Sequence, residues 1–151
     1  QANQTGSFPY ILPPSIEALG PEAVAEYDRQ METMQKWYNQ WQAKLGAKGE
    51  KSNEDARFVL PNACETRMVI TMNARELMHF FSLRCCNRAQ WEIRALAWEM
   101  LRLAEKAAPT LFKNSGPGCI RGKCPEGKMS CGQAEQVRAY REALQCTSKK
   151  Q

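Results

Sequence analysis

A chain of 151 residues, 43% hydrophobic and 25% charged, holds enough apolar material for one ordinary globular domain, which excludes disorder as its default state. Lysine and arginine outnumber aspartate and glutamate by 21 to 16, for a net charge of +5. That surplus suits small anionic ligands and is too dispersed to specify nucleic acid as the partner.

No run approaches the about 18 apolar residues of a membrane span, and the first residues lack the basic-then-apolar layout of a secretion signal. A cytoplasmic protein forming a single domain over 1–151 is expected. Seven cysteines, with Cys85 and Cys86 adjacent, fit reduced thiols or metal ligands better than a secreted disulfide framework. The first residue is Gln1 rather than methionine, which fits a part of a longer protein.

In chain order, residues 1–14 (QANQTGSFPYILPP) are rich in turn formers, and Pro13 and Pro14 impose an extended start. From Pro21 the pattern changes: Tyr27, Met31, Met34, Tyr38, Trp41 and Leu45 recur at steps of three and four. This spacing predicts a helix with proline in its first turn and Gly46 at its end. AKGEKSNED (47–55) reads as a charged, solvated loop. ARFVLP (56–61) and TRMVITM (66–72) read as short strands, the second alternating Met68, Ile70 and Met72 on one side. NACE between them allows a hairpin or a change of sheet.

Asn73 then opens a helix, with Glu76 placed to complete a capping box. Leu77, Phe80 and Phe81, followed by Leu96, Met100 and Leu103, carry an apolar stripe to about Lys106, where Pro109 forbids continuation. A break is expected around 84–88. KNSGPGCIRGKCPEGKMSCG (113–132) is a loop rich in glycine and cysteine, and a last helix follows near 133–145.

The polar residues Asn73, Arg75, His79, Arg84 and Arg88 interrupt that stripe. Arg75 and His79 are four apart and share a helix face, as do Arg84 and Arg88 if the helix is unbroken. A guanidinium is a planar, permanently charged fork that matches phosphate oxygens or a pyrimidine edge, so a pocket for a planar anion is one reading. A cap, a satisfied histidine and a wet arginine face is the other. Periodicity alone does not separate them. Cys119, Cys124 and Cys131 are spaced C-x4-C-x6-C, with Cys146 or Cys64 as a candidate fourth thiolate for tetrahedral zinc; free thiols and a redox pair are the alternatives.

The run from Leu60-Pro61 through TMNARELMHFFSLRCCNRAQWEIRALAWEML resembles the flavin-dependent thymidylate synthases, whose C-terminal half carries Asn-Ala-Arg, a short helix, then Leu-Arg, three variable residues and Ala-Gln-Trp-Glu-Ile. The similarity extends from Phe8 to about residue 132 and includes APTLFKNSGPGC. The resemblance implies an α/β (α+β) fold, of which this chain is the helix-rich C-terminal two-thirds with long amphipathic helices and a few short strands. It implies methylation of dUMP to dTMP, with methylenetetrahydrofolate as carbon donor and FAD reduced by NADPH as hydride source. It also implies a homotetramer with active sites at subunit contacts.

Position by position, Asn73 and Arg75 match the family's flavin-contacting Asn-x-Arg, and His79 falls where the family commonly has a further flavin contact. Arg84 matches the catalytic arginine that binds the nucleotide and favours ionisation of its pyrimidine N3. Arg57 matches a second nucleotide-binding arginine. Arg88 stands where many relatives have histidine; a guanidinium is no neutral base, so it is left outside the site. The family uses no cysteine nucleophile, so Cys85 and Cys86 are read as small buried residues. The family's Arg-His-Arg-x7-Ser signature lies upstream of the matched region and is absent here, so an N-terminal third is expected to supply further flavin and nucleotide contacts. The rival reading, from the charge and the cysteines, is a basic zinc- and nucleic-acid-binding module.

Overall fold

The computed structural model describes residues 8–46 and 49–148, with side chains to residue 145. The first half of the N-terminal QANQTGSFPYILPP segment, the start of the 47–55 loop and the Cys146 side chain lie outside the described residues. The chain divides into two compact units, Gln1–Val69 and Ile70–Gln151.

The first unit is built on α2, Pro21–Lys44, preceded by a single turn, α1, Pro14–Glu17. Pro21 opens α2 because its fixed φ suits the first turn and its missing N–H costs nothing there. Gly46, at φ +92, turns the chain away beyond its end. Met31, Gln35 and Tyr38 form the buried face.

Across that face lies the extended segment 8–11. The Phe8 N–H donates to the buried Gln35 Oε1 (2.7 Å), the Tyr10 hydroxyl to Asp28 Oδ1 (2.6 Å) and the Tyr27 hydroxyl to the Ile11 carbonyl (3.1 Å). Phe8, Tyr10 and Tyr27 meet edge to face at 6.1 and 6.0 Å, the arrangement that the ring quadrupoles favour. Along its other edge the Ile11 N–H donates to the Ala63 carbonyl and Glu65 N–H to the Pro9 carbonyl. The expected apolar stripe of α2 is covered only as far as Tyr38. Trp41 remains 48% exposed and Leu45 44%, and the Lys44 ammonium sits 4.9 Å from the Trp41 ring centroid.

Two expectations for this region are corrected. The charged stretch at 47–55 contains a helix, α3, Glu50–Ala56, because small Ser52 and Ala56, four apart, tuck in and are buried while the charged residues stay wet. ARFVLP is no strand: Ala56 closes α3, Arg57–Val59 form a 3-10 turn and Phe58 is 87% exposed. Among the described residues there is no β-strand, only an isolated antiparallel bridge between Tyr10 and Cys64. The described fold is therefore helical. TRMVITM has no regular secondary structure and finds no ladder partner for its backbone groups, and Val69 is wholly exposed.

In the second unit, α4 (Ala74–Arg84), α5 (Trp91–Ala107), the single turn α6 (Pro109–Phe112) and α7 (Ala134–Ser148) surround one core. Phe81, Cys85, Ala97, Trp98, Leu101, Phe112, Cys119 and Val137 are buried there. Phe81 meets Phe112 edge to face at 6.1 Å, and Trp98 meets Tyr140 at 5.0 Å. The break expected near 84–88 is present, and it resets the helical phase. Leu96 and Leu103, assigned to the buried stripe from the sequence, are each 53% exposed, and Ala97, Trp98 and Leu101 take the core instead.

One buried ion pair joins α7 to α5. Arg141 donates to both Glu105 oxygens (2.7 and 2.9 Å) and to the carbonyls of Ser115 (2.9 Å), Phe112 (3.1 Å) and Lys113 (3.2 Å). Its removal strands a carboxylate in the interior, so Arg141→Met is expected to cost ~3–5 kcal/mol, and the double variant Glu105→Leu/Arg141→Met less. Urea unfolding of the three proteins checks this.

Burial pushes the Cys85 thiol up to about 12, with Arg141 pulling weakly the other way. The hydrogen bond to Asp28, with some desolvation, raises Tyr10 to about 12. A folded pKa above the unfolded one leaves stability intact at lower pH and erodes it as pH rises toward the folded value. The midpoint of unfolding is therefore expected to fall as pH climbs from about 9 toward 12, with a shallower fall in Cys85→Ala and in Tyr10→Phe. Equal slopes in all three proteins would remove this account.

Candidate functional site

Helix α4 starts where the sequence says it should. Asn73 keeps an extended backbone and its Oδ1 accepts the Glu76 N–H at 2.9 Å, satisfying one of the free donors of the first turn. Among the described residues Glu76 makes no return bond, so the capping box is half formed. Among the described residues the Ala74 and Arg75 N–H groups have no partner, and they stand at the positive end of the helix dipole, where an anion is favoured. Ala74, Leu77, Met78, Phe81 and then Cys85 face the core.

At about 100° per residue, Arg75 and His79 fall together on one flank of that buried stripe, and Asn73 and Arg84 on the other. All four side chains are exposed. The helix thus brings Arg75 and His79 together and sets Arg84 roughly half a turn round from Arg75. Among the described residues none offers a hydrogen bond or ion pair to the guanidinium of Arg57, Arg75 or Arg84. Cationic forks without a partner among the described residues are free to bind a ligand's anionic or acceptor groups.

Arg84 closes α4, Cys85 caps it, and the chain turns through 85–90 before α5. Because the helix breaks here, the condition for Arg84 and Arg88 to share a face is not met: Arg88 lies beyond the helix end and pairs with Glu126 at 2.5 Å. Two residues that sequence reasoning passed over shape this turn. Gln90 Oε1 accepts the N–H groups of Glu92 (2.9 Å) and Ile93 (3.1 Å), and Arg94 donates to the Asn87 carbonyl (3.1 Å). Glutamine is an uncommon N-cap, so only the double occupancy of its oxygen reveals the role.

Arg57 belongs to the first unit and opens the 3-10 turn at the rim of an open cleft of about 750 Å³. Tyr38 and Pro61 line it with three carboxylates, Glu50, Glu54 and Glu65. That acidic wall opposes a phosphate inside the cleft, so Arg57 is a candidate through its exposed guanidinium and not through the cleft. The described cysteines, Cys64, Cys85, Cys86, Cys119, Cys124 and Cys131, are free thiols. No helix among the described residues is long and apolar enough to cross a membrane.

Residues 1–110 match the family model described as thymidylate synthase complementing protein. The chain is 49% identical over 141 residues to a protein of Clostridium tetani named flavin-dependent thymidylate synthase, covering 87% of this chain and 57% of that one. Proteins of the same name are 48% identical over 130 residues in Nitratidesulfovibrio vulgaris (83% of this chain, 53% of that one) and 69% identical over 90 residues in Geobacter sulfurreducens (59% and 39%). The chain spans about half the length of the curated relatives it matches. With that model matched over residues 1–110, a span that holds Asn73, Arg75 and Arg84, the chain belongs to the thymidylate synthase complementing protein family.

Proposed function

We propose that this chain is the C-terminal portion of a flavin-dependent thymidylate synthase, a cytoplasmic enzyme that methylates dUMP to dTMP with methylenetetrahydrofolate as carbon donor. The observation that carries the reading is the family match over residues 1–110, which includes α4 with its exposed, unpartnered arginines. FAD fits the N-terminal end of α4: free N–H groups, the helix dipole, Arg75 and the His79 imidazole offer donors to phosphate or to the flavin edge. When bound and reduced by NADPH, that cofactor supplies the hydride.

Arg84 is the catalytic residue in this reading. Methyl transfer needs electron density at C5 of the pyrimidine, and a guanidinium beside the ring stabilises negative charge developing at N3 and the neighbouring carbonyls. A planar two-point donor also holds the ring in register, which a lysine would not do. Arg57 would neutralise the nucleotide's phosphate. Since Arg75 and Arg84 project from opposite flanks of α4, one copy serves parts of more than one site most simply in an assembly, in support of a homotetramer with active sites at subunit contacts. The α/β class belongs to the same reading: TRMVITM alternates like a strand and would take its ladder partner from elsewhere in the assembled protein.

Two outcomes are expected. Added FAD gives the chain a perturbed, saturable flavin spectrum that shifts again on titration with dUMP; a folded full-length protein with no flavin response would overturn the reading. In the full-length enzyme, Arg84→Ala lowers dTMP formation by about 10²–10³-fold with an unchanged melting temperature, whereas Arg102→Ala, which only breaks a surface pair with Glu99, leaves turnover as it was. Near-normal turnover of the Arg84 variant would remove its assigned role.

A further inference from the structure

The segment 113–132 runs for twenty residues with only two 3-10 turns, Gly118–Ile120 and Gly127–Met129. Irregular segments of that length inside a folded unit ordinarily need a fastening beyond their own backbone bonds. Three of its residues are Cys119, Cys124 and Cys131.

Several contacts fold this loop onto the turn between α4 and α5. A Cβ on Gly118 would lie 2.7 Å from the Pro125 ring, so only glycine lets these two chain segments touch, and their neighbours Cys119 and Cys124 are brought together. Arg88 pairs with Glu126 at 2.5 Å, and the Asn87 amide donates to Gln133 Oε1 at 2.7 Å. The first pair holds the residues around Cys86 against those following Cys124, and the second against those following Cys131. Cys86 carbonyl accepts the Ala89 N–H and Cys124 carbonyl accepts the Gly127 N–H, so each cysteine opens a tight turn.

We infer that Cys86, Cys119, Cys124 and Cys131 form a four-thiolate structural zinc site that pins the C-terminal loop to the α4–α5 turn. Among the described residues no three ligand-type side chains already stand at metal-holding distance, so metal binding draws the four sulfurs together, starting from the contacts between their chain neighbours. Zinc displaces one proton from each of four thiols, the protons pass to solvent, and the centre carries a net charge of −2. The loop is suited to that charge. It contains Arg121, Lys123 and Lys128, and Arg138 donates to the carbonyls of Cys119 (2.9 Å) and Gly122 (2.8 Å). Cys85 takes no part, since it faces the apolar core. The site is independent of the flavin chemistry and completes with Cys86, which the loop spacing alone does not single out.

The test uses the whole chain, purified under reducing conditions without chelator. About one zinc per chain is expected by elemental analysis, and exchange with Co²⁺ should give thiolate-to-metal charge transfer with tetrahedral visible bands. Cys86→Ser and Cys119→Ser are expected to lose the metal, while Cys64→Ser and Cys146→Ser retain it. If a variant fails to fold, thiol counting on the unaltered chain decides instead: a chelator should release four additional thiols to Ellman's reagent. Absence of zinc together with no cobalt spectrum, full metal content in Cys86→Ser, or no thiols released by chelator would each overturn the site.

Discussion

The second unit depends on the Arg141 guanidinium. Its donors reach a carboxylate on α5 and three carbonyls around the end of α6, groups that would otherwise lie unsatisfied beside an apolar core. Leu101 and Glu105, four apart on α5, put the most buried leucine and the buried carboxylate on the same face. The charge and the hydrophobic contacts therefore close together. Gln145 reinforces the pair by donating to Glu105 (3.1 Å) and to the Lys113 carbonyl (2.6 Å). No buried side-chain nitrogen or oxygen among the described residues lacks a partner, and the cost of a charged core is met by complete pairing.

The second constraint is the interruption between α4 and α5. A continuous helix would carry Arg84 mid-element and put Arg88 one turn above it. Ending α4 at Arg84 leaves that guanidinium at a helix end beside a turn, fixed by the Gln90 cap and by Arg94, and sends Arg88 to Glu126 instead. The order Leu-Arg, turn, Ala-Gln-Trp-Glu-Ile thus has a physical meaning. It spends Arg88 on structure and leaves Arg84 free.

These features differ in how well the residues announce them. The bounds of α2 were readable because Pro21, a three-and-four apolar period and Gly46 all agree, and the start of α4 because Asn73 is a strong cap. Helix α3 was not, since its only inward residues are a serine and an alanine, which leave no apolar period. The buried face of α5 was misread by one position because a stripe was carried across a turn that resets the phase. For the candidate site, the identities of Asn73, Arg75, His79, Arg84 and Arg57 came from the resemblance. Their division between the flanks of α4, and the acidity of the cleft beside Arg57, follow from three-dimensional placement.

The stretch 66–72 carries a consequence for handling the protein. Met68, Val69, Ile70 and Met72 are exposed together on a backbone whose hydrogen-bonding groups are not engaged in a ladder, and no proline interrupts them. Such a segment is a template for intermolecular cross-β pairing. Arg67, exposed and paired with Glu65 at 3.0 Å, stands at its start as a charged gatekeeper. Charge at this edge is therefore what discourages self-association of the chain, and high salt, which screens charge, favours it.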